Sequence, residues 1–402
     1  MKLSQRAQNV EPFYALAYAD RASAVEAAGH RVIRLNIGEP DFGAPPAVRD
    51  AMRDLMDGRP LPYTPALGLP TLRQVIAEFY RDRHGVEVDP ARIIVTSGAS
   101  AALVLVIAAT IDPGDDVVAA DPAYPCNRQL VESFGGTVVS VATTPATRFQ
   151  LDAASVIDAW TTNTTAVMMA TPSNPTGTSI AANELARICQ VARERGAWRI
   201  VDEIYLELAD PGDDGAPARS VLAVDPGAIV INSFSKYFGM TGWRLGWAIL
   251  PEALVESVER LAMNYFLCAS TPAQHAALAC FTPASLDVSE QRRRELAGRR
   301  ALALDALARL GLAVSAVPDG AFYVYFDVST TGLGSWEFCR RALDEAHVAL
   351  TPGRDFGTIT ADTHVRLSYA TLREELVEGL ERLGQFLSGL EGFTPGTYVT
   401  PK

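Results

Sequence analysis

Lys236 is the residue whose surroundings most strongly indicate chemistry. It follows the apolar run at 228–231, and Phe234 and Tyr237 flank it. Lysines are normally solvated, but a lysine just after a buried strand is partly desolvated. Such an amine loses its proton more easily and can attack a carbonyl to form a Schiff base. We therefore expect Lys236 to be a nucleophile toward a carbonyl compound.

Small and polar residues after the apolar run at 93–96 and on either side of Lys236 form a candidate anion site. Gly98, Ala99 and Ser100 follow the apolar run at 93–96, where backbone N–H groups at the start of a helix can approach a phosphate. Ser233 and Arg244, on either side of Lys236, add a hydroxyl and a cation. A serine-capped helix after a tight turn is the better explanation of residues 98–100 when they are considered alone.

Three more polar side chains follow predicted strands. Tyr124 stands between two prolines, where a flat ligand could stack on it, and Asn174 lies in a second proline-rich turn. Asp202 ends the apolar run at 199–201, and an ionised carboxylate there is costly unless a cation or a donor faces it. Each also has a purely structural explanation: a packed loop aromatic, an Asx turn and a salt bridge, respectively.

The elements that position these residues indicate an α/β fold. Short apolar runs alternate with helical patterns from about residue 70 to 250, which predicts a mostly parallel seven-stranded sheet between helices, and ligands bind beyond the carboxyl ends of such strands. The predicted strands are 93–96, 117–120, 138–141, 166–170, 199–201, 228–231 and 245–250. We predict a large domain over 46–285 and a smaller α+β domain from 1–45 and 286–402. The first 40 or so residues, expected to lack a sheet partner, should pack on the smaller domain.

Composition excludes several classes of function. The 402 residues include 35 Lys and Arg against 47 Asp and Glu, a net charge of −12 that disfavours nucleic acid as a partner. Five separated cysteines predict neither disulfides nor a metal site and fit a reducing compartment. No apolar run approaches the roughly 20 residues of a membrane span. We expect a cytoplasmic protein with no membrane contact.

Together, the strand-end residues match the groups of pyridoxal 5′-phosphate. Residues 98–100, Ser233 and Arg244 would hold its phosphate, and Lys236 its aldehyde. Asp202 would face the ring nitrogen, keeping it protonated so that the ring accepts electrons. The remaining contacts would be Asn174 and Tyr205 with the phenolic oxygen and Tyr124 with the ring face.

The sequence resembles the fold-type I, class I/II aminotransferases, which depend on pyridoxal phosphate, over nearly its whole length. The matching motifs are Leu35–Phe42, Tyr63-Thr64-Pro65 with Gly68, Asn174–Gly177, Asp202–Tyr205, Ser233–Lys236 with Arg244, and Val365–Tyr369. The resemblance implies that an L-amino acid and a 2-oxo acid exchange an amino group in two half-reactions, through an aldimine that Lys236 forms with the cofactor.

The resemblance also implies roles for residues outside the strand ends. Arg366 would pair with the substrate α-carboxylate, assisted by Gly38 and Asn174. Tyr63 would reach the cofactor phosphate of a neighbouring subunit, which implies a homodimer with shared active sites.

Other reactions and substrates stay open at this point. A pyridoxal-phosphate-dependent lyase of the C–S β-elimination type would share Lys236 and Asp202, and a non-catalytic regulator is a third possibility that the acidic charge disfavours. No lysine lies between 100 and 118, and the arginines at 292–294 are predicted to lie on a solvated helix, so no partner for a distal carboxylate is evident. The apolar and aromatic residues near Tyr14, Tyr18, Tyr265 and Phe266 are more compatible with a substrate that has a neutral or aromatic side chain, although core packing explains them equally well.

Overall fold

A computed structural model describes residues 2–10, 14–212 and 215–393. Its helices, numbered along the chain, are α1 (Gln5–Asn9), α2 (Tyr14–Ala27), α3 (Pro46–Leu55), α4 (Pro70–Phe79), α5 (Ala99–Thr110), α6 (Pro125–Ser133), α7 (Ala153–Asp158), α8 (Ala182–Glu194), α9 (Glu252–Tyr265), α10 (Thr271–Ala277), α11 (Pro283–Arg309), α12 (Ser335–Ala346) and α13 (Arg373–Ser388). A short π-helix, Tyr80–His84, continues α4.

Seven strands form the central sheet, which confirms the predicted α/β fold. They are β2 (Ile93–Thr96), β3 (Asp116–Asp121), β4 (Thr137–Ala142), β5 (Thr164–Ala170), β6 (Trp198–Asp202), β7 (Ile229–Ser233) and β8 (Gly246–Ile249), in the order β2-β8-β7-β6-β5-β3-β4. Only β8 runs antiparallel to its neighbours. The first strand has the predicted bounds, and the ends of the other six differ by no more than two residues. Asp202 and Ser233 lengthen two of them, because polar residues complete strands whose apolar part alone was recognised.

Helices cover both faces of this sheet, as its apolar strands require. Helix α5 is apolar on all sides and packs between the sheet and α9, with its first turn directly after β2. Its N-terminus therefore lies at the carboxyl edge of the sheet, beside the ends of β6 and β7. This is the edge at which open α/β sheets bind ligands.

Two small sheets come from the two ends of the chain. Strand β1 (Ile33–Arg34) pairs with β10 (Val348–Ala349), and β11 (Thr351–Pro352), β12 (His364–Ser368) and β9 (Tyr323–Asp327) form an antiparallel sheet. The expectation that the first 40 residues lack a sheet partner is wrong, because a two-residue strand is too short to produce a recognisable alternation. Helix α2 contacts β10 and β11, as predicted, whereas α1 contacts α6, which belongs to the predicted large domain. The division at residues 46–285 stays a prediction.

Over the ranges that the structure describes, no helix is long and apolar enough to cross a membrane. The same ranges hold no group of three or more His, Cys, Asp or Glu side chains placed to bind a metal ion. All five cysteines are free thiols. The cytoplasmic location stays a prediction.

Candidate active site

A cavity of about 470 Å³ opens at the carboxyl edge of the central sheet. Its walls come from the ends of β5, β6 and β7, the first turn of α5, the segment 36–39 and strands β9 and β12. All the site residues predicted from sequence line it except Gly98 and Tyr63, namely Gly38, Ala99, Ser100, Tyr124, Asn174, Asp202, Tyr205, Ser233, Lys236, Arg244 and Arg366.

Lys236 lies in this cavity with its amine held by backbone. Its Nζ donates a hydrogen bond of 2.7 Å to the carbonyl oxygen of Gly38 and lies 6.0 Å from the ring centre of Tyr205 and 5.8 Å from that of Phe322. Burial lowers the pKa of Lys236 to about 8, and the nearby carboxylate of Glu39 opposes part of that shift. At pH 7 about a tenth of the amine is therefore neutral and nucleophilic, far more than for a solvated lysine.

Asp202 ends β6 and is buried at the cavity wall. Its Oδ1 accepts a hydrogen bond of 3.0 Å from the backbone N–H of Ile204. Burial raises the pKa of Asp202 to about 6, while that hydrogen bond and the charge of Lys236 act in the opposite direction. An ionised carboxylate here is stabilised further by a cationic ligand group.

The predicted anion site is assembled by Gly98 and Arg244. Gly98, with φ of +81°, precedes α5, and a Cβ added to it would lie 2.6 Å from Nη2 of Arg244. Arg244 has φ of +53°, and its Nη1 donates to the carbonyl oxygen of Thr241 at 3.0 Å. A guanidinium therefore lies against the N-terminus of a twelve-residue helix, where its charge and the helix dipole both favour an anion.

Ser233, Ser235 and Thr241 support the same corner of the cavity. The Oγ of Ser233 lies 2.9 Å from the Oγ of Ser235 and accepts a hydrogen bond from its backbone N–H at 3.0 Å. The hydroxyl of Thr241 donates to the carbonyl oxygen of Ser235 at 2.8 Å. These bonds order the turn that carries Lys236.

Arg366 is buried on β12 on the opposite side of the cavity. Its Nη1 donates to Oδ1 of Asn174 at 2.9 Å, and its Nη2 donates to the carbonyl oxygen of Asn36 at 2.7 Å. Among the described residues, its Nε has no hydrogen-bond partner. A buried guanidinium without a carboxylate beside it is prepared to receive one from a ligand.

Tyr63 lies outside the cavity. Tyr63 is 79% exposed, while both of its neighbours are hydrogen-bonded: the carbonyl oxygen of Pro62 accepts from Thr271, and the hydroxyl of Thr64 accepts from Gln274.

Sequence reasoning missed Tyr323, whose hydroxyl lies 2.9 Å from that of Tyr205 and whose ring faces the guanidinium of Arg366. Tyr323 lies in the aromatic run of β9. The residue pattern of that run predicts a strand, but it does not tell which of the aromatic residues faces a cavity. Conversely, Tyr18 packs on Trp336, and Tyr265 and Phe266 are exposed, so these three do not line the cavity. The side chain of Tyr14 lies outside the described part of the molecule.

Comparison with known proteins gives one consistent match. The family model described as aminotransferase class I and II matches residues 30–383. The valine–pyruvate aminotransferase of Mycobacterium tuberculosis is 38% identical over 94% of this chain and 97% of its own. The aspartate/prephenate aminotransferase of Thermus thermophilus is 35% identical over 96% of this chain and 98% of its own.

Solved structures agree with this match. A crystal structure of an aminotransferase from Mycobacterium tuberculosis superposes with a TM-score of 0.92, at 37% identity, covering 96% of this chain and 99% of that one. The structure of the aspartate aminotransferase of Thermus thermophilus with maleate superposes with a TM-score of 0.90, at 35% identity, covering 96% of this chain and 100% of that one.

Proposed function

This chain belongs to the class I and II aminotransferases, enzymes that transfer amino groups between amino acids and 2-oxo acids, and on that premise we propose that it works with pyridoxal 5′-phosphate held around Lys236. The observation that carries the proposal is the amine of Lys236, whose pKa burial lowers to about 8, in one cavity with Asp202 and Arg366. Because the relatives described above are named aminotransferases, transamination is supported and the C–S lyase alternative is not.

The residues present fit this cofactor. Because Gly98 has no side chain, the guanidinium of Arg244 can lie against the start of α5, and this corner would hold the phosphate. Buried Asp202 has the charge that a protonated ring nitrogen requires, and Tyr124 and Tyr205 line the intervening space with aromatic rings. When bound, pyridoxal phosphate supplies an electron-accepting ring and an aldehyde that carries the amino group.

Each side chain then has a defined task. Nζ of Lys236, in its neutral form, would hold the aldehyde carbon covalently with release of water, and after displacement by the substrate amine it would be free to take the proton that leaves the substrate Cα. Asp202 would keep a proton on the ring nitrogen, and Tyr205 and the amide of Asn174 would donate to the phenolic oxygen. Arg366 binds the substrate α-carboxylate, whose second contact is the backbone at Gly38.

The cavity favours substrates with a neutral side chain. Its cationic lining residues are Lys236, Arg244 and Arg366, which the aldehyde, the phosphate and the α-carboxylate occupy. Among the described residues of one chain, no further cation lines the cavity to pair with a second carboxylate. Arg292, which the sequence analysis places on a solvated helix, donates to the carbonyl oxygen of Gly43 and lies over the ring of Phe42.

We also infer a homodimer in which Tyr63 reaches the cofactor phosphate of the other subunit. The ring is exposed on an ordered loop, and further apolar side chains are exposed just before α10, which packs on that loop: Met263, Tyr265, Phe266 and Leu267. Contiguous exposed apolar side chains of this kind indicate an interaction surface.

Reduction with borohydride tests the proposal. The chain has three lysines, Lys2, Lys236 and Lys402, so the protein saturated with pyridoxal phosphate, reduced and digested should carry the pyridoxyl group on the peptide of Lys236, with the other two lysines as internal controls. Labelling of Lys2 or Lys402 without Lys236 would contradict the proposal. Addition of an amino acid without an oxo acid should release one equivalent of oxo acid and stop, whereas a lyase would continue.

A further inference from the structure

Tyr323 brings together three parts of the cavity that are far apart in sequence. It lies on β9, its side chain is buried, and it lines the cavity. It contacts Tyr205, three residues beyond β6, Arg366 on β12 and the segment at Gly38. No other aromatic residue of β9 lines the cavity.

The first contact joins two hydroxyl groups. The phenolic oxygens of Tyr323 and Tyr205 are 2.9 Å apart. A phenol has one proton to donate, so within this pair one hydroxyl donates and the other accepts. If Tyr323 donates, the proton of Tyr205 is released toward the cavity, where it can bind an oxygen of a ligand.

The second contact joins a ring and a cation. The guanidinium carbon of Arg366 lies 4.4 Å from the ring centre of Tyr323 and 4.9 Å from that of Phe356. Both distances are within the range at which an aromatic face attracts a cation. The ring of Tyr323 therefore holds the guanidinium in place without using a hydrogen-bond donor that the α-carboxylate needs.

The third contact explains a glycine. A Cβ at residue 38 would lie 2.6 Å from the hydroxyl oxygen of Tyr323. Glycine thus lets Tyr323 approach the backbone whose carbonyl oxygen accepts from Nζ of Lys236. The hydroxyl of Tyr323 is consequently placed between the group that binds Lys236 and the hydroxyl of Tyr205.

We propose that Tyr323 is a positioning residue with two separable effects: its hydroxyl orients the proton of Tyr205 toward the bound cofactor, and its ring orients Arg366 toward the substrate α-carboxylate. This inference deepens the proposed function and rests on it. It assigns the cofactor effect to one oxygen atom and the substrate effect to the six-membered ring, so two substitutions distinguish them.

Tyr323→Phe removes the oxygen and keeps the ring. Equilibrium dialysis of apoprotein should show pyridoxal phosphate bound about threefold to tenfold more weakly, the range for one hydrogen bond. The affinity of the holoenzyme for 2-methylalanine, which has an α-carboxylate but no α-proton, should stay unchanged. Tyr323→Leu should weaken the binding of pyridoxal phosphate and of 2-methylalanine. The affinity for 2-methylalanine should fall about threefold to thirtyfold, because the ring is lost.

Tyr325→Phe is the matched control, because it removes a buried hydroxyl from the same strand that contacts Thr360 instead of the cavity. It should change neither affinity. Tyr205→Phe should weaken cofactor binding, and adding Tyr323→Phe to it should have no further effect, since the oxygen it removes no longer has a hydroxyl to orient.

The result that overturns the inference is additivity. If Tyr323→Phe and Tyr205→Phe weaken pyridoxal phosphate binding independently, or if Tyr323→Phe binds it as tightly as the wild type, Tyr323 does not act through Tyr205. Pyridoxyl labelling at Lys236 in the same variants reports separately on the proposed function, so either hypothesis can fail without the other.

Discussion

Arg244 packs against the backbone of Gly98 so closely that a β carbon on residue 98 would lie 2.6 Å from its Nη2 atom. The two residues are 146 positions apart in sequence, and each has a positive φ, +81° for Gly98 and +53° for Arg244. Their contact creates the cationic corner at the start of α5, and the space for it exists only because residue 98 has no side chain.

Gly98→Ala should therefore displace the guanidinium and weaken phosphate binding. We expect pyridoxal phosphate to bind at least about tenfold more weakly, because a charge-assisted contact to the phosphate contributes about 1.5–3 kcal/mol. Equilibrium dialysis of the apoprotein measures this directly. Unchanged affinity would show that Arg244 does not hold the phosphate.

Gly114→Ala is the control for backbone strain. Gly114 has φ of +97°, and nothing lies within 4 Å of the position of its Cβ. Both substitutions should lower the free energy of unfolding by about 1–2 kcal/mol through the positive φ, but only Gly98→Ala should change cofactor affinity.

Asp202→Asn should stabilise the apoprotein while disabling the enzyme. Burial raises the pKa of Asp202 to about 6 from its ordinary 3.8, so the folded state binds more protons than the unfolded state between these values. The contribution of this carboxyl to stability is present below about pH 4 and is lost as the pH rises through 6. A neutral amide avoids the cost of the buried charge above pH 6.

Thermal unfolding of both apoproteins between pH 4 and 8 tests this. At pH 8 the variant should be more stable by about 1–3 kcal/mol, and the difference should vanish near pH 4. Turnover should fall about 100-fold or more, because the ring nitrogen loses its counter-charge. A variant equally stable at pH 8, or one that keeps its turnover, would contradict the role given to Asp202.

Tyr63 acts across the proposed dimer interface if two inactive subunits can complement each other. Lys236→Ala and Tyr63→Ala subunits, co-expressed with different tags, should form mixed dimers in which one of the two sites has both an intact Lys236 and an intact Tyr63. Random pairing then restores about a quarter of wild-type activity. If Tyr63 served its own chain, every site would carry one lesion and activity would not return.

Substrate selectivity follows from the charges that line the cavity. Asparagine should react faster than aspartate by about tenfold or more in the amino-donor half-reaction, because the second carboxylate of aspartate would lose its water without gaining a cation. Valine and phenylalanine should also exceed aspartate. Single-turnover measurements of kcat/KM with these four donors decide the point, and preference for aspartate would imply a cation from the partner subunit.

Much of this protein can be predicted from its sequence because parallel sheets bind ligands at one edge. Once the apolar runs are recognised as strands, the residues that follow them must lie together, which placed Asp202, Asn174 and Lys236 around one cavity. The short strand Ile33–Arg34 escaped recognition because two residues show no periodicity, and it pairs with another two-residue strand, Val348–Ala349.

Tyr323 and Tyr325 show what the amino-acid order leaves undetermined. They are two residues apart on β9 and so lie on the same face of the strand, but Tyr323 lines the cavity while Tyr325 binds Thr360. The chain itself determined which residue types meet at the sheet edge, because strand alternation and turn residues are local. Only the tertiary structure decided that Tyr323 meets Tyr205 and Arg366, because contacts over such sequence separations depend on how the sheets pack.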